Sequence, residues 1–399
     1  MKTLHKILRI LFGLTFIISG FTKLIDPLGT SLVVKEYFSF MHLTFLNPLA
    51  TEFAITMSAL EMLTGICVLC GIRLKIFTFI GMTMMVAFTL VTVYLVLYNP
   101  IKDCGCFGEV IHLTNWQSLG KNLVLLPVSI FLFAGSLKMA DKASAAFDWI
   151  AAIIFAAFAA GISIDALRYN PRMDFTAYKI GTDMAEMTKG GNTTFKTTFI
   201  YEKDGVKQEF DIDSLPDESW TFLDSRTEMT RGDSSEAMAD IALRDLEGNY
   251  RNDIFTTEGP MFAAIVRDCA SMDKTGWDAI SNLGGALALR DIPMYVFADN
   301  TDVPATVADN LLTADRKALI TFLRSNGGVV YFNDGIITRK WAARGLNADT
   351  INAVVDEDPE EALAESELAG KRYAGIVFGI LAVLICTFCL IRKAAFENN

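Results

Sequence analysis

The sequence predicts an α-helical membrane bundle, a four-helix core plus two further transmembrane helices, carrying an extracytoplasmic α/β domain. Three observations predict it. Of 399 residues, 52% are hydrophobic, too many for an ordinary soluble chain. Six stretches, roughly 8 to 24, 53 to 71, 76 to 98, 119 to 137, 148 to 167 and 373 to 391, approach the ~20 apolar residues that a helix needs to cross hydrocarbon. Between the fifth and the sixth, charge, glycine and turn residues return, and alternating strand and helix patterns begin at about residue 238.

The opening MKTLHKILRILFGLTFIISG has the basic start and apolar middle of a signal peptide. No small-x-small cleavage site follows, so a retained first span is the simpler expectation. Lys and Arg in short loops orient membrane chains, whereas net charge, here −11, does not. Lys2, Lys6 and Arg9, then Arg73 and Lys75, Lys138 and Lys142, and Arg392 and Lys393 all fall on one side if the six spans alternate. Both termini are then cytoplasmic and residues 170–370 face outward, as in a multi-pass protein of a bacterial inner membrane. Lys371 and Arg372 dissent. The acidic surplus, as in AVVDEDPEEALAESE, reads as a solvated linker or helix before the last span and argues against nucleic acid as a partner.

Span two, FAITMSALEMLTGICVLCG, puts Glu61 deep in hydrocarbon. A carboxyl there is costly to ionise and points to function, here as a proton acceptor. The alternative is a protonated Glu61 bonded to Ser58 or another helix for packing alone. In the outward loop YNPIKDCGCFGEVIHLTNWQSLGKN, only Gly105 separates Cys104 from Cys106. A disulfide there closes a very small ring that glycine tolerates. Such a bond is expected to be easily reduced, in a compartment where disulfides persist. Redox chemistry and an inert staple both remain open. Only His112 is near enough to complete a metal set, so no metal is expected. Cys67 with Cys70, and Cys386 with Cys389, also have C-x-x-C spacing, but in apolar helices they read as small hydrophobes.

Four spans in this order, the GFTKLIDP end of span one, Glu61 followed by Gly65 and Gly71, and the DCGCFG loop resemble the DoxX superfamily, and within it the methylamine utilisation protein MauE, over about residues 1–140. The resemblance implies a four-helix membrane domain tied to disulfide chemistry during maturation of an exported, cysteine-rich protein. Cys104 and Cys106 would be its redox pair. A methylamine pathway does not follow from that label alone.

TTFIYEKDGVKQEFDI reads as two strands about a turn, and ADIALRDLEGNYRNDIF as a second hairpin. Beyond them, MFAAIVRD, KTGWDAISNLGGALALRD, PMYVFAD, ADRKALITFLRSN, GVVYFND and GIITRKW alternate strand, helix, strand, helix and a closing hairpin around a mixed sheet. Residues 238–345 resemble a degenerate thioredoxin-like domain. Where that family carries C-x-x-C this chain has DCASMDKTGW with Cys269 alone, and Gly327 stands where the cis-proline would be. Cys269 is a weak candidate for a transient mixed disulfide; an inert thiol is the simpler expectation.

The expected organisation is 1–140 membrane domain, 141–169 fifth span, 170–237 β-rich linker or subdomain, 238–345 thioredoxin-like domain, 346–370 acidic linker, and 371–399 sixth span and tail. The expected function is thiol-disulfide exchange between exported cysteine-containing clients and a membrane acceptor such as quinone, with the lipid bilayer as the standing partner. A non-catalytic anchored scaffold, whose degenerate domain binds an envelope partner, is the alternative. A small-solute transporter is a weaker third, resting on Glu61.

Overall fold

The computed structural model describes residues 2–99, 104–139, 145–189, 194–203, 206–211, 220–231, 241–347, 351 and 354–396. Among them, six helices are long and apolar enough to cross a membrane. The first five spans lie in α1 (Lys2–Leu24), α3 (Ala50–Cys70), α4 (Leu74–Tyr98), α5 (Asn115–Ser136) and α6 (Ala145–Tyr169). A helix the sequence reading left unassigned, α2 (Pro27–Phe40), links the first two. Its start is chemically specified: Asp26 is the N-cap, accepting from the Gly29 amide at 2.9 Å, and Pro27 occupies the first turn.

The tightest packing in the bundle is α1 on α3. A Cβ on Gly65 would stand 2.7 Å from the Gly13 carbonyl oxygen and 2.7 Å from the Ile17 amide, so the two backbones touch. Lipid offers no hydrophobic drive between helices, and such small-residue contacts hold membrane bundles together. The contact fixes the register that matters below, Lys23 of α1 against Glu61 of α3.

A short helix, α7 (Met184–Lys189), precedes an antiparallel sheet of order β2-β1-β3, made of β1 (Thr194–Lys203), β2 (Val206–Asp211) and β3 (Thr221–Arg231). The pairing of β1 with β2 agrees with the expected hairpin. The DLEGN segment turns as expected but too tightly to carry two full strands. It closes a turn, Asp245 accepting from the Gly248 and Asn249 amides, with one bridge, Arg244 to Tyr250, and leads into a 3-10 turn at Asn252–Thr256. The turn is a hairpin of a single bridge, flanked by Asp245 N–H to the Asn249 carbonyl and Arg251 N–H to the Leu243 carbonyl, and Arg244 bridges to Thr313 as well and seals a sheet edge.

The larger sheet has order β6-β5-β4-β7-β8. In chain order β4 (Pro260–Val266) is followed by α8 (Lys274–Ala288), β5 (Met294–Ala298), β6 (Leu311–Thr313), α9 (Arg316–Phe322), β7 (Gly328–Asn333) and β8 (Ile336–Trp341). Strands β4, β5 and β6 are parallel; β7 and β8 run antiparallel to β4 and to each other. From Met261 to Val266, β4 is wholly buried, as a central strand covered on both faces should be. Phe262, Ala264 and Val266 face Ile280, Leu283 and Leu287 of α8. Met261, Ala263 and Ile265 face Leu319 and Phe322 of α9, together with Tyr178 and Phe255. Strand β6 escaped the sequence reading because three residues are too few to show a period.

Helix α10 (Pro359–Phe396) takes up the acidic run from Pro359 onward and continues unbroken into the last span. The sheet region seats on one end of the bundle. Lys317 of α9 pairs with Glu36 of α2 at 2.6 Å. Lys340 of β8 reaches Asp174 at 2.7 Å, and the Ser325 amide donates to Asn170 Oδ1 at 2.6 Å.

Candidate functional site

Cys104 and Cys106 are joined as a disulfide, with Cα atoms 5.5 Å apart. Gly105 between them has φ +63°, in the left-handed region that favours glycine, and a Cβ there would press on Val33 at 2.9 Å. Three helices hold the loop. Ser19 of α1 donates to the Cys106 carbonyl at 2.7 Å, and Tyr37 of α2 donates to the Cys104 carbonyl at 2.9 Å. Ser118 of α5 places its hydroxyl 3.0 Å from Cys104 Sγ. That hydroxyl is aimed by a capping box, Thr114 with Gln117, which fixes the first turn of α5. The two sulfurs differ in access: Cys104 is 7% exposed, whereas Cys106 is only half-buried.

One turn below Ser19 on α1 lies Lys23, whose ammonium sits 2.5 Å from Glu61 Oε2, the two side chains 12% and 5% exposed. Of the two partners the packing alternative offered, Ser58 or another helix, the structure has the second, as an ion pair; the Ser58 hydroxyl donates to the Ala54 carbonyl at 2.7 Å. Lys121 of α5 has Lys23 and Glu61 as charged neighbours. Its ammonium lies 4.8 Å from the centroid of Phe107, the residue that follows Cys106. A disulfide, a carboxylate and two ammonium groups are thus gathered at one end of the bundle. Sequence reasoning found Cys104, Cys106 and Glu61 and missed Lys23 and Lys121. The signal was present: a charge within a span needs a partner, and Lys121 is a cation inside an apolar stretch.

The GFTKLIDP segment becomes intelligible. Its lysine neutralises Glu61, its proline starts α2, and its aspartate caps α2 while holding Arg324 of the sheet region. Arg324 Nε is 2.9 Å from Asp26 Oδ1 and Nη2 is 2.6 Å from Oδ2, a bidentate pair with side chains 3% and 9% exposed. Burial pulls Arg324 down, and the Asp26 carboxylate more than offsets it, holding the guanidinium above its ordinary pKa. Arg324 Nη2 also lies 3.6 Å from Glu109 in the disulfide loop.

Cys269 sits at the end of β4, 6% exposed, its amide donating to Asp299 Oδ1 at 3.1 Å. Burial, then Asp299, pushes its thiol up to about 12. Only thiolate is nucleophilic, so alkylation of Cys269 in the folded protein is expected to stay slow at pH 8 to 9 and to rise only toward pH 12, read by mass spectrometry of iodoacetamide-treated samples. With the folded pKa raised above the ordinary 9.0, the folded state holds the proton longer. This contribution to stability is complete below pH 9 and fades between about 9 and 12. Rapid labelling at pH 8 would contradict it.

The fold and this site define a multi-pass membrane protein with a helical membrane bundle and a separate α/β sheet region. Residues 1–135 match the family model of the methylamine utilisation protein MauE, so the membrane part carries a MauE family domain. Residues 195–232, which include most of the three-stranded sheet, match a domain of unknown function, DUF8463. No curated protein and no solved structure shows significant similarity to the chain.

Proposed function

We propose that the Cys104–Cys106 disulfide accepts electrons from thiol pairs of exported client proteins, in a bacterial inner-membrane protein whose termini are cytoplasmic and whose residues 170–370 face outward. The observation that carries this reading is the seating of the disulfide: half-open at Cys106, closed at Cys104, with the Ser118 hydroxyl 3.0 Å from Cys104 Sγ. A client thiolate attacks Cys106 Sγ, forming a client–Cys106 disulfide and breaking the Cys104–Cys106 bond. Cys104 leaves as a thiolate that accepts the Ser118 O–H. The second client thiolate then attacks the client sulfur, releasing an oxidised client and a reduced loop that holds two electrons. Lys23 and Lys121 favour the anionic sulfur electrostatically; the client's two protons leave to solvent, and Glu61, paired with Lys23, is the carboxylate that would pass on protons one at a time when the reduced loop is reoxidised. Lys23 and Lys121 are the groups that would hold the carbonyl oxygens of a quinone, which would supply a two-electron, two-proton acceptor.

The α/β region in this reading is a thioredoxin-like domain retained for client recognition. Its support is the β5-β4-β7-β8 order with α8 and α9 on opposite faces; a lone buried Cys269 leaves it without dithiol chemistry. The bundle would accordingly fall in the DoxX superfamily. The test is the redox state of Cys104 and Cys106 in intact cells, by thiol trapping and mass spectrometry with and without a quinone-site inhibitor. A population of thiols that grows under the inhibitor is the expected result. A disulfide that never changes would instead favour a non-catalytic scaffold whose groove of about 670 Å³, lined by residues such as Arg172, Lys340 and Glu365, receives an envelope partner.

A further inference from the structure

Lys371 and Arg372, the two cations that dissent from the loop charges, line the groove of about 670 Å³ between the bundle and the sheet region. The turn after α6, the end of α9, β8 and α10 all contribute to its lining. The chain leaving α6 touches α10 there: a Cβ on Gly370 would stand 3.1 Å from the Arg172 carbonyl oxygen. Arg324, also in the lining, lies 3.6 Å from Glu109, so the groove is at the bundle end that carries the disulfide loop. Its volume suits a small ligand or a headgroup.

Several of its charges answer one another. Arg324 pairs with Asp26, Lys340 with Asp174, and Arg339, through Nη2, with Glu357 and Glu365. Lys371 and Arg372 are exposed and form no ion pair among the described residues, with Glu367 the one acid of the lining similarly left over. Two buried donors in the lining also lack an acceptor among the described residues, Asn170 Nδ2 and Arg339 Nε. Asn170 is 8% exposed, and the Ser325 amide engages its Oδ1, which leaves the NH2 group as the end turned to a ligand. A buried donor without an acceptor is costly, and an anion in the groove satisfies it.

Depth and the neighbouring apolar surface decide which anion. Asn170 directly follows the fifth span, and Lys371 and Arg372 directly precede the apolar stretch of α10, which is the level of lipid headgroups. Four-residue spacing puts Arg372, Ile376 and Ile380 on one face of α10, and both isoleucines are exposed, as is Leu167 on α6. A cation above an apolar stripe complements a phosphate above acyl chains; an acidic peptide would have no use for the stripe. We propose that the groove binds the headgroup of an anionic phospholipid, with its phosphate against Lys371, Arg372 and the Asn170 NH2 and its acyl chains along Ile376 and Ile380. Such a lipid accounts for two cations at a place that loop orientation disfavours. It also bridges α10 to the turn after α6, beside the joint that Arg324 and Lys340 make with the bundle end.

The detergent-solubilised full chain would be titrated with dioctanoyl phosphatidylglycerol, dioctanoyl phosphatidylcholine, inorganic phosphate and an oligoglutamate peptide, with binding read by microscale thermophoresis. Phosphatidylglycerol should bind about tenfold tighter than phosphatidylcholine, and Lys371→Ala with Arg372→Ala should remove that preference. Asn170→Asp keeps the oxygen that the Ser325 amide engages and suits the left-handed backbone of φ +66°, but it puts a negative charge in place of the donor. It should weaken phosphatidylglycerol about tenfold, with the Cys104–Cys106 disulfide intact to show that the fold survives. Lys75→Ala with Lys393→Ala, at the start of α4 and the end of α10, should change nothing. Equal binding of the two lipids, or equal loss in both double variants, would overturn the proposal. Inorganic phosphate binding as tightly as the lipid would overturn it in favour of a free anion, and a preference for the peptide over either lipid would overturn it in favour of a protein partner.

Discussion

Membranes carrying the Cys106→Ser variant are expected to lose oxidation of a model dithiol peptide completely, while Ser118→Ala is expected to slow it about tenfold or more. Serine at 106 removes the more accessible of the loop's two sulfurs and with it the disulfide that a client thiolate attacks. Alanine at 118 leaves the disulfide in place but takes away the O–H that stabilises the departing Cys104 thiolate. A hydrogen bond to a charged group contributes about 1.5–3 kcal/mol, and about 1.4 kcal/mol is a factor of ten in rate. The pH profile separates this role from a structural one. Without Ser118 the Cys104 thiol should ionise at higher pH, so thiol trapping of the reduced loop should require more alkaline conditions. An unchanged rate and profile in Ser118→Ala would detach the serine from the chemistry; full activity in Cys106→Ser would end the thiol-exchange reading.

The second large effect concerns the joint between the bundle and the sheet region. Asp26→Ala strands the buried guanidinium of Arg324, whose side chain is 3% exposed. Breaking one side of a buried pair costs about 3–5 kcal/mol, and loss of the α2 N-cap adds about 1 kcal/mol. Chemical unfolding and limited proteolysis of the purified chain should show earlier unfolding and new cleavage between the sheet region and α2. Replacing both residues, Asp26→Ala with Arg324→Leu, should recover most of the loss, because no uncompensated charge is then buried; what remains measures the cap. A cost of only about 0–1 kcal/mol, the range of a surface pair, would show that the joint is solvated. Arg324 also approaches Glu109, so the single variant should disturb the disulfide loop as well, and the cycle of both variants reads that coupling directly.

The sequence by itself determined the spans, the strands and helices of the larger sheet apart from β6, the disulfide loop and the odd carboxyl of span two. These are local signals: runs of apolar residues long enough to cross a bilayer, alternation and turn residues, and two cysteines about one glycine. Nothing local reveals what faces Glu61 or Asp26. Lys23 lies 38 positions from Glu61, and Arg324 lies 298 positions from Asp26. Arg392, which donates to the Cys70 carbonyl, lies 322 positions from it. The tertiary structure alone decided these pairings. Packing sets helix register, here through the Gly13–Gly65 contact of α1 and α3, and a buried charge must then find its partner among whatever side chains that register brings near.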